Sequence, residues 1–301
     1  MMSKEEFVAK VKDALALYYG ADADVTVQDM LKNNGVKHTG VSIRFADGGQ
    51  IAPVVYIDEF YARLENGEMD FDECIEKITD IANYHKVPED LIGIEKKLMS
   101  WEYCKDKIYP VLISTERNKE NLERWVSKEL LDLSVIYMIR LDEHKEGEYA
   151  SVKITNEIAK SYGVSVEELH KVALDNMKSD NYRLQDMREI IAGMMGEEFD
   201  SLDLMPGPKM AVISCKTKMY GAAGVLDEAF MESITSEDMQ YFLIPSSVHE
   251  WIMLIDDGDT NPESLREMIC EVNNTQVEPH EVLSDHPYLY SREHGLQMCA
   301  A

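Results

Sequence analysis

The stretch Tyr241-Phe242-Leu243-Ile244-Pro245-Ser246-Ser247-Val248-His249-Glu250-Trp251-Ile252-Met253-Leu254-Ile255 contains two apolar runs on either side of a short polar segment. Runs that are apolar on both faces are typical of strands that are buried on both sides of a sheet. Because a short polar segment can turn the chain back on itself, the stretch predicts a buried β-hairpin over 241–255. We therefore expect an antiparallel sheet near the C-terminal end of the sequence.

The rest of the chain mixes helical and strand patterns. Apolar residues at helical spacing predict an opening helix over 3–19, and two extended runs at 41–45 and 51–57 predict an antiparallel strand pair. Further helices are predicted near 58–66, 70–85, 89–100, 118–130, 154–162, 165–178, 185–195, 226–236 and 262–272. Further strands are predicted near 107–114, 133–140, 149–154, 209–216 and 288–290. Strands and helices that come in groups, without strict alternation, predict an α+β fold with mixed, mainly antiparallel sheets.

A Pro/Gly cluster, Met205-Pro206-Gly207-Pro208, is the candidate linker. It divides the chain into two predicted subdomains. The N-terminal α+β region covers 1–204 and includes a helix-turn-helix-like pair at 154–177. The C-terminal α+β region covers 209–301 and includes the hairpin at 241–255.

The composition limits the classes of partner. Acids outnumber bases by 57 to 30 among 301 residues, which gives a net charge of −27. Such a surface repels nucleic-acid phosphates and anionic membranes, so it disfavours both. Solubility alone is the favoured explanation of the acidity, and a protein partner with a basic surface or cation binding is the alternative. The apolar runs are shorter than the roughly 20 residues of a membrane-spanning helix, and the acidic N-terminus is unlike a signal peptide. We therefore expect a cytoplasmic protein.

The polar part of the hairpin is the candidate pocket: Ser246, Ser247, His249 and Glu250. Their hydroxyl, imidazole and carboxyl groups are suited to acid–base or nucleophilic chemistry, but capping of the strands and the turn is the favoured interpretation. Adjacent residues of a strand point to opposite faces, which opposes a joint role for His249 and Glu250. A zinc-protease motif is excluded because Met253 stands where its second histidine would be.

A second pattern has the spacing of a helix-turn-helix motif over 154–177. Gly163 permits the tight turn between the helices, and apolar residues such as Leu169 and Val172 pack them together. The second helix carries Glu167 and Glu168 and no arginine, so it lacks the usual bidentate donors to bases. A structural helix pair is the favoured interpretation, and DNA contact is the alternative.

Other clusters do not complete a known site. His280, His286 and His294 have spacings that match no metal motif, and the segment Asp256 to Asp259 lacks the later ligands of an EF-hand loop. Gly221-Ala222-Ala223-Gly224 lacks the pattern of a phosphate loop and is better explained by close packing. The sequence therefore indicates no metal site and no cofactor-binding residues, and the cofactor is unknown.

Several segments together resemble an uncharacterised family that is common in gut Firmicutes and is known as a domain of unknown function. The segments are Asn118-Lys119, Leu131 to Tyr137, Glu168-Leu169 with Ala173 and Asn176, Tyr220 to Ala223, and Ile244 to Glu250. The most specific is Pro-Ser-Ser-Val-His-Glu. Because the family has no established activity, the resemblance implies no catalytic residues and no cofactor.

These observations favour a binding or interaction module with an acidic surface over an enzyme. The alternative is a hydrolase or other small-molecule enzyme that uses the cluster Ser246 to Glu250, with a partner supplied by Asp132, Tyr220 or His286. A second alternative is a DNA-binding regulator that acts through 154–177. The oligomeric state is not indicated.

Overall fold

The computed structural model describes residues 2–45, 52, 54–84, 93–145, 148–195 and 210–299. The chain divides into two units. Unit 1 comprises Met1–Lys32 and Val36–Ser100, and unit 2 comprises Asn33–Gly35 and Trp101–Ala301.

Unit 1 is a three-stranded antiparallel sheet with helices. The strands, in the order β1-β2-β3, are β1 (Ala23–Leu31), β2 (Lys37–Phe45) and β3 (Val54–Tyr56). The helices are α1 (Lys4–Tyr19), α2 (Asp58–Glu65), α3 (Phe71–Tyr84) and α4 (Glu95–Leu98). Pairing of Val41 with Val55 confirms the predicted antiparallel pair, although β1 was not predicted.

Helix α1 shows how the sequence specifies this unit. It begins with a capping box in which the Ser3 hydroxyl accepts from the backbone N–H of Glu6, and the Glu6 carboxylate accepts from that of Ser3. Phe7, Val11 and Leu15 form one helical face and are fully buried. They pack in one apolar core with residues of the sheet and of α3, so burial of this face supplies most of the helix stability.

Unit 2 contains seven helices and ten strands among the described residues. The helices are α5 (Trp101–Cys104), α6 (Lys119–Leu122), α7 (Asn156–Tyr162), α8 (Val166–Met177), α9 (Met187–Met195), α10 (Glu228–Ile234) and α11 (Pro262–Thr275). The strands are β4 (Ile108–Ser114), β5 (Ser127–Leu130), β6 (Leu133–Lys145), β7 (Glu148–Lys153), β8 (Arg183–Asp186), β9 (Met210–Ser214), β10 (Tyr241–Ser247), β11 (Glu250–Ile255), β12 (Tyr288–Ser291) and β13 (Gly295–Met298).

Two antiparallel sheets organise unit 2. In the smaller sheet the long strand β6 pairs with β4, β5 and β7. The larger sheet has the order β13-β12-β10-β11-β9-β8, which places the hairpin β10–β11 at its centre. Central strands are buried on both faces, which is why both runs of the hairpin are almost continuously apolar.

The predicted hairpin is confirmed. Phe242 pairs with Leu254 and Pro245 with Trp251, and the register shifts before Ser247 pairs with Glu250. The shift is a β-bulge at Ser246, which gives the bulged strand one extra residue. On its other edge β10 pairs with β12 over Tyr241, Phe242 and Leu243.

The predicted α+β class is confirmed by the helices and the antiparallel sheets. The helix predicted over 118–130 is wrong beyond Leu122, because Ser127–Leu130 pairs with β6 as a strand. The helix predicted near 89–100 lies partly outside the described residues. The candidate linker and the boundary between 204 and 209 also lie outside them, so the division into 1–204 and 209–301 stays a prediction.

Within the described residues, no helix combines the length and the apolar character needed to cross a membrane.

Candidate functional site

The turn between β10 and β11 is formed by Val248 and His249 and is held by two other segments of unit 2. The buried Val248 donates its backbone N–H to the carbonyl of Glu281 at 2.8 Å, and its own carbonyl accepts from the N–H of Ala222 at 3.4 Å. Trp251, which is fully buried, donates its indole N–H to the Ala222 carbonyl at 2.7 Å. The turn is therefore fixed from both sides rather than projecting alone.

His249 lies in this turn and not on the strand, and both of its ring nitrogens have partners. The backbone N–H of Tyr220 donates to Nδ1 at 2.9 Å, so Nδ1 carries a lone pair and the ring proton is on Nε2. Nε2 lies 3.3 Å from Oε1 of Glu281 and donates to it. The rings of His249 and Tyr220 are also in contact, with centroids 5.4 Å apart. These bonds set the tautomer and orientation of the imidazole.

The serines of the candidate pocket have different partners. The Ser246 hydroxyl donates to the Glu250 carboxylate at 3.0 Å, and the Ser247 hydroxyl accepts from the backbone N–H of His249 at 3.1 Å. In the part of the chain that the structure describes, neither hydroxyl bonds to the imidazole. The four predicted residues are thus neighbours, but they do not form the bonded nucleophile–base pair that serine catalysis uses.

Gly221 allows the supporting loop to approach the turn. A Cβ atom at this position would lie 2.6 Å from the His249 carbonyl oxygen and 2.8 Å from the backbone nitrogen of Cys215. At Gly224 a Cβ atom would lie 2.7 Å from the Tyr182 ring. Only glycine fits such distances, so the interpretation of Gly221–Gly224 as a close-packing segment is confirmed.

A second polar cluster of unit 2 joins Asp132, His286 and Tyr288. The Asp132 carboxylate accepts from His286 Nε2 at 2.9 Å and from the Tyr288 hydroxyl at 2.7 Å. His286 Nδ1 lies 3.3 Å from the carbonyl oxygen of Pro287. Both ring nitrogens face oxygen atoms that can only accept, an arrangement that favours the doubly protonated imidazolium.

The pKa values of this second cluster agree with an ion pair. The hydrogen bond to Asp132 raises the pKa of His286, against the opposing effect of burial. Burial acts to raise the pKa of Asp132, but the hydrogen bonds from His286 and Tyr288 bring it below its ordinary value. Folding therefore favours the charged form of both groups.

Of the three candidate partners for the turn, the structure places Tyr220 against His249, whereas Asp132 and His286 bond to each other. Glu281 was not predicted, although it accepts from the His249 ring. No local signal identifies it, because 32 residues separate it from His249.

The other predicted histidine cluster is divided among separate partners. His280 lies 3.9 Å from Glu281, while His294 contacts Ser291 and Glu293. In the described ranges of the chain, no group of three or more His, Cys, Asp or Glu residues is arranged to hold a metal ion.

The helix pair α7–α8 has the predicted turn, and both helices begin at a capping residue. Thr155 and Ser165 accept from the backbone at the start of each helix, and Gly163 ends α7 in the left-handed conformation with φ 67°. The buried face of α8 consists of Leu169, Ala173 and Met177. Its exposed charged residues are Glu167, Glu168, Lys171 and Asp175. With three acids and one base, this face is electrostatically unsuited to DNA.

No curated protein matches the chain, and no solved structure matches it. A family model described as a family of unknown function (DUF5688) matches residues 4–292. The matched range includes the β10–β11 turn and the cluster of Asp132, His286 and Tyr288. The resemblance to a domain of unknown function is thereby confirmed at that level, and the chain belongs to the DUF5688 family.

Proposed function

We propose that this chain is a binding module whose recognition surface is the β10–β11 turn together with Glu281. The observation that carries the proposal is the bonding of His249, whose ring accepts from the Tyr220 N–H and donates to Glu281. The imidazole is used to fix the turn, and the serine hydroxyls are bonded elsewhere. A rigid polar surface of this kind lowers the entropy lost on binding.

A protein with a basic surface is the partner that the charges favour. Glu250 and Glu281 are half-buried carboxylates beside the turn, and the Glu281 side chain is 35% exposed. The net charge of −27 attracts a basic protein over longer distances and accelerates encounter at low ionic strength. The negative net charge of the chain opposes binding of nucleic acid.

The test is a quantitative affinity capture from a lysate of the source cells, with nuclease, at low and at high salt. A variant with Glu250→Gln and Glu281→Gln keeps the hydrogen-bond acceptors but removes both charges. We expect this variant to reduce enrichment of a basic protein about fivefold, which is the effect expected for the loss of one or two charges at the rim of an interface. Direct titration with that purified protein then measures the change in Kd.

The matched control carries Glu267→Gln and Glu271→Gln, which removes two charges from the exposed face of α11. Equal losses in the two variants would attribute capture to net charge alone and contradict the proposed surface. Absence of enrichment in every arm would also contradict it, and would turn the search to hydrolase substrates.

A hydrolase has weaker geometric support. Asp132 and His286 resemble the acid–histidine part of a catalytic triad, with 2.9 Å between Oδ2 and Nε2. However, the second ring nitrogen of His286 faces the Pro287 carbonyl oxygen at 3.3 Å, so it is not directed at a nucleophile. This arrangement supports a structural ion pair.

A further inference from the structure

A polar cavity of about 490 Å³ lies within unit 2 and is lined by residues that are not part of the β10–β11 turn. Its volume is in the range of pockets that take small molecules. Its charged lining residues are Asp106, Lys107, Arg140, Asp180 and Lys216. Three bases and two acids give this cavity a local excess of positive charge, in a chain whose net charge is −27.

Arg140 is held in one orientation at the cavity wall. Its guanidinium forms a bidentate ion pair with Asp180, and it stacks on the ring of Tyr109 at 3.8 Å from the centroid. The Asp180 carboxylate also accepts from the Tyr182 hydroxyl at 3.3 Å. The remaining guanidinium N–H donors have no hydrogen-bond partner among the described residues. A planar donor group that is already fixed in place can bind an oxyanion with little loss of entropy.

Two lysines add positive charge near Arg140. The Lys107 ammonium lies 4.4 Å from the centroid of the Tyr103 ring. Lys216 is exposed, and its backbone N–H donates to the Asp180 carbonyl at 3.2 Å. In the described part of the chain its ammonium forms no ion pair. Because Asp180 is already paired with Arg140, it offsets the charge of the lysines only in part.

Neutral hydrogen-bonding groups complete the lining. The Ser179 hydroxyl donates to the Asn176 carbonyl at 2.7 Å and lies 3.2 Å from the Tyr109 hydroxyl, which donates to it. Asn181, in the left-handed conformation with φ 50°, donates its side-chain amide to the Ser179 carbonyl at 3.1 Å. Thr217 adds a further hydroxyl. These groups suit the polar body of a ligand.

We propose that this cavity binds a small phosphorylated metabolite, with the phosphate at Arg140, Lys107 and Lys216 and a hydroxyl-bearing body along the serine, asparagine and threonine side. Fixed guanidinium and ammonium donors bind phosphate strongly, and hydroxyl and amide groups bind a sugar-like body. The cavity shares no lining residue with the recognition surface at the β10–β11 turn.

The test is isothermal titration of the full chain with ribose 5-phosphate, inorganic phosphate and ribose. We expect saturable binding of ribose 5-phosphate, weaker binding of inorganic phosphate and none of ribose. Lys216→Met changes an exposed side chain and leaves the buried Arg140–Asp180 pair intact, so the variant will fold. It should weaken binding of ribose 5-phosphate about tenfold, as expected for loss of one charged contact.

The matched control is Lys119→Met, which removes an exposed lysine that pairs with Glu116 and does not line the cavity. It should bind ribose 5-phosphate as the wild type does. Equal weakening in both variants would show general charge attraction and overturn the proposal, as would unchanged binding in Lys216→Met. Absence of saturable binding to either phosphate-bearing probe would overturn it too. Capture of a protein partner should not change in Lys216→Met, so failure of this site is distinguishable from failure of the proposed function.

Discussion

His249 and His286 both have hydrogen-bond partners at both ring nitrogens, but the chemistry of the partners differs. At Nδ1, His249 accepts from a backbone N–H of Tyr220, whereas His286 donates to a backbone carbonyl of Pro287. At Nε2, each histidine donates to a carboxylate, that of Glu281 or that of Asp132. The comparison teaches that one neighbouring backbone group determines whether Nδ1 of a ring meets a donor or an acceptor.

The largest effect on stability is expected from a change that disturbs the loop supporting His249 and leaves the Asp132–His286 pair unchanged. Gly221→Ala would place a methyl group 2.6 Å from the His249 carbonyl and against the backbone of Cys215, neither of which is a flexible side-chain end. We expect a loss of about 3 kcal/mol in the free energy of unfolding, measured with urea. The Asp132–His286 pair should remain intact in any folded fraction.

The control for this change is Gly193→Ala in α9, where a Cβ atom meets nothing within 4 Å. Because alanine favours helix, that variant should gain up to about 1 kcal/mol. A Gly221→Ala protein as stable as the wild type would show that the supporting loop adapts, and that the turn is not held in the way described.

An intermediate effect is expected from pH, and it arises at the Asp132–His286 pair. Folding raises the pKa of His286, so its stabilisation is complete below the unfolded value of about 6.5 and is lost as pH rises through the folded value. Folding lowers the pKa of Asp132, so the carboxyl contribution is lost as pH falls through the folded value. The pair is partly exposed to solvent, so we expect about 1 kcal/mol.

The measurement is the free energy of unfolding against pH for the wild type and His286→Gln. The stability difference between them should be greatest in the weakly acidic range and decrease above neutral pH. His294→Gln, which changes a half-exposed histidine, is the control and should follow the wild type. A constant difference across this pH range would contradict the imidazolium assignment.

The smallest effect is expected at Glu281. Glu281→Gln keeps an oxygen that can accept from His249 Nε2 and removes only the charge, so we expect a change below about 0.5 kcal/mol. Asp132→Asn makes the same change in the other cluster, where His286 and Tyr288 donate to different carboxylate oxygens and one of the two becomes an amide nitrogen that cannot accept. Asp132→Asn should therefore reduce the free energy of unfolding more than Glu281→Gln does. Equal reductions in the two variants would contradict the distinction between the histidines.

The sequence predicts the local parts of this molecule well. The hairpin over 241–255 and the helix α1 follow from continuous apolar runs and from spacing, which are properties of neighbouring residues. Strand β5 was missed because its four residues, Ser127–Leu130, alternate weakly, and only pairing with β6 makes them extended. In β1 only Val25 is buried, so its sequence carries little apolar alternation.

The candidate site was predictable only in part, because sequence patterns identify neighbouring residues and not contacts between distant ones. Ser246, Ser247, His249 and Glu250 are close in sequence and were identified together. The pairing of Asp132 with His286 joins residues 154 positions apart, and no spacing rule connects them. Arg140 and Asp180 are likewise brought together by the sheets and helices of unit 2. Long-range pairs of this kind depend on the order of the strands.

Two prolines mark where the pairing of β10 with β12 stops. The register of β10 with β12 pairs Leu243 with Tyr288, and two further steps would place Pro245 opposite His286. Neither Pro245 nor Pro287 has a backbone N–H to contribute to the strand ladder, so the regular pairing of β10 with β12 cannot continue through this position. His286 therefore lies just before β12 and outside the sheet, and its side chain bonds to Asp132. The ladder between β10 and β12 thus ends beside the residue that forms the charged pair.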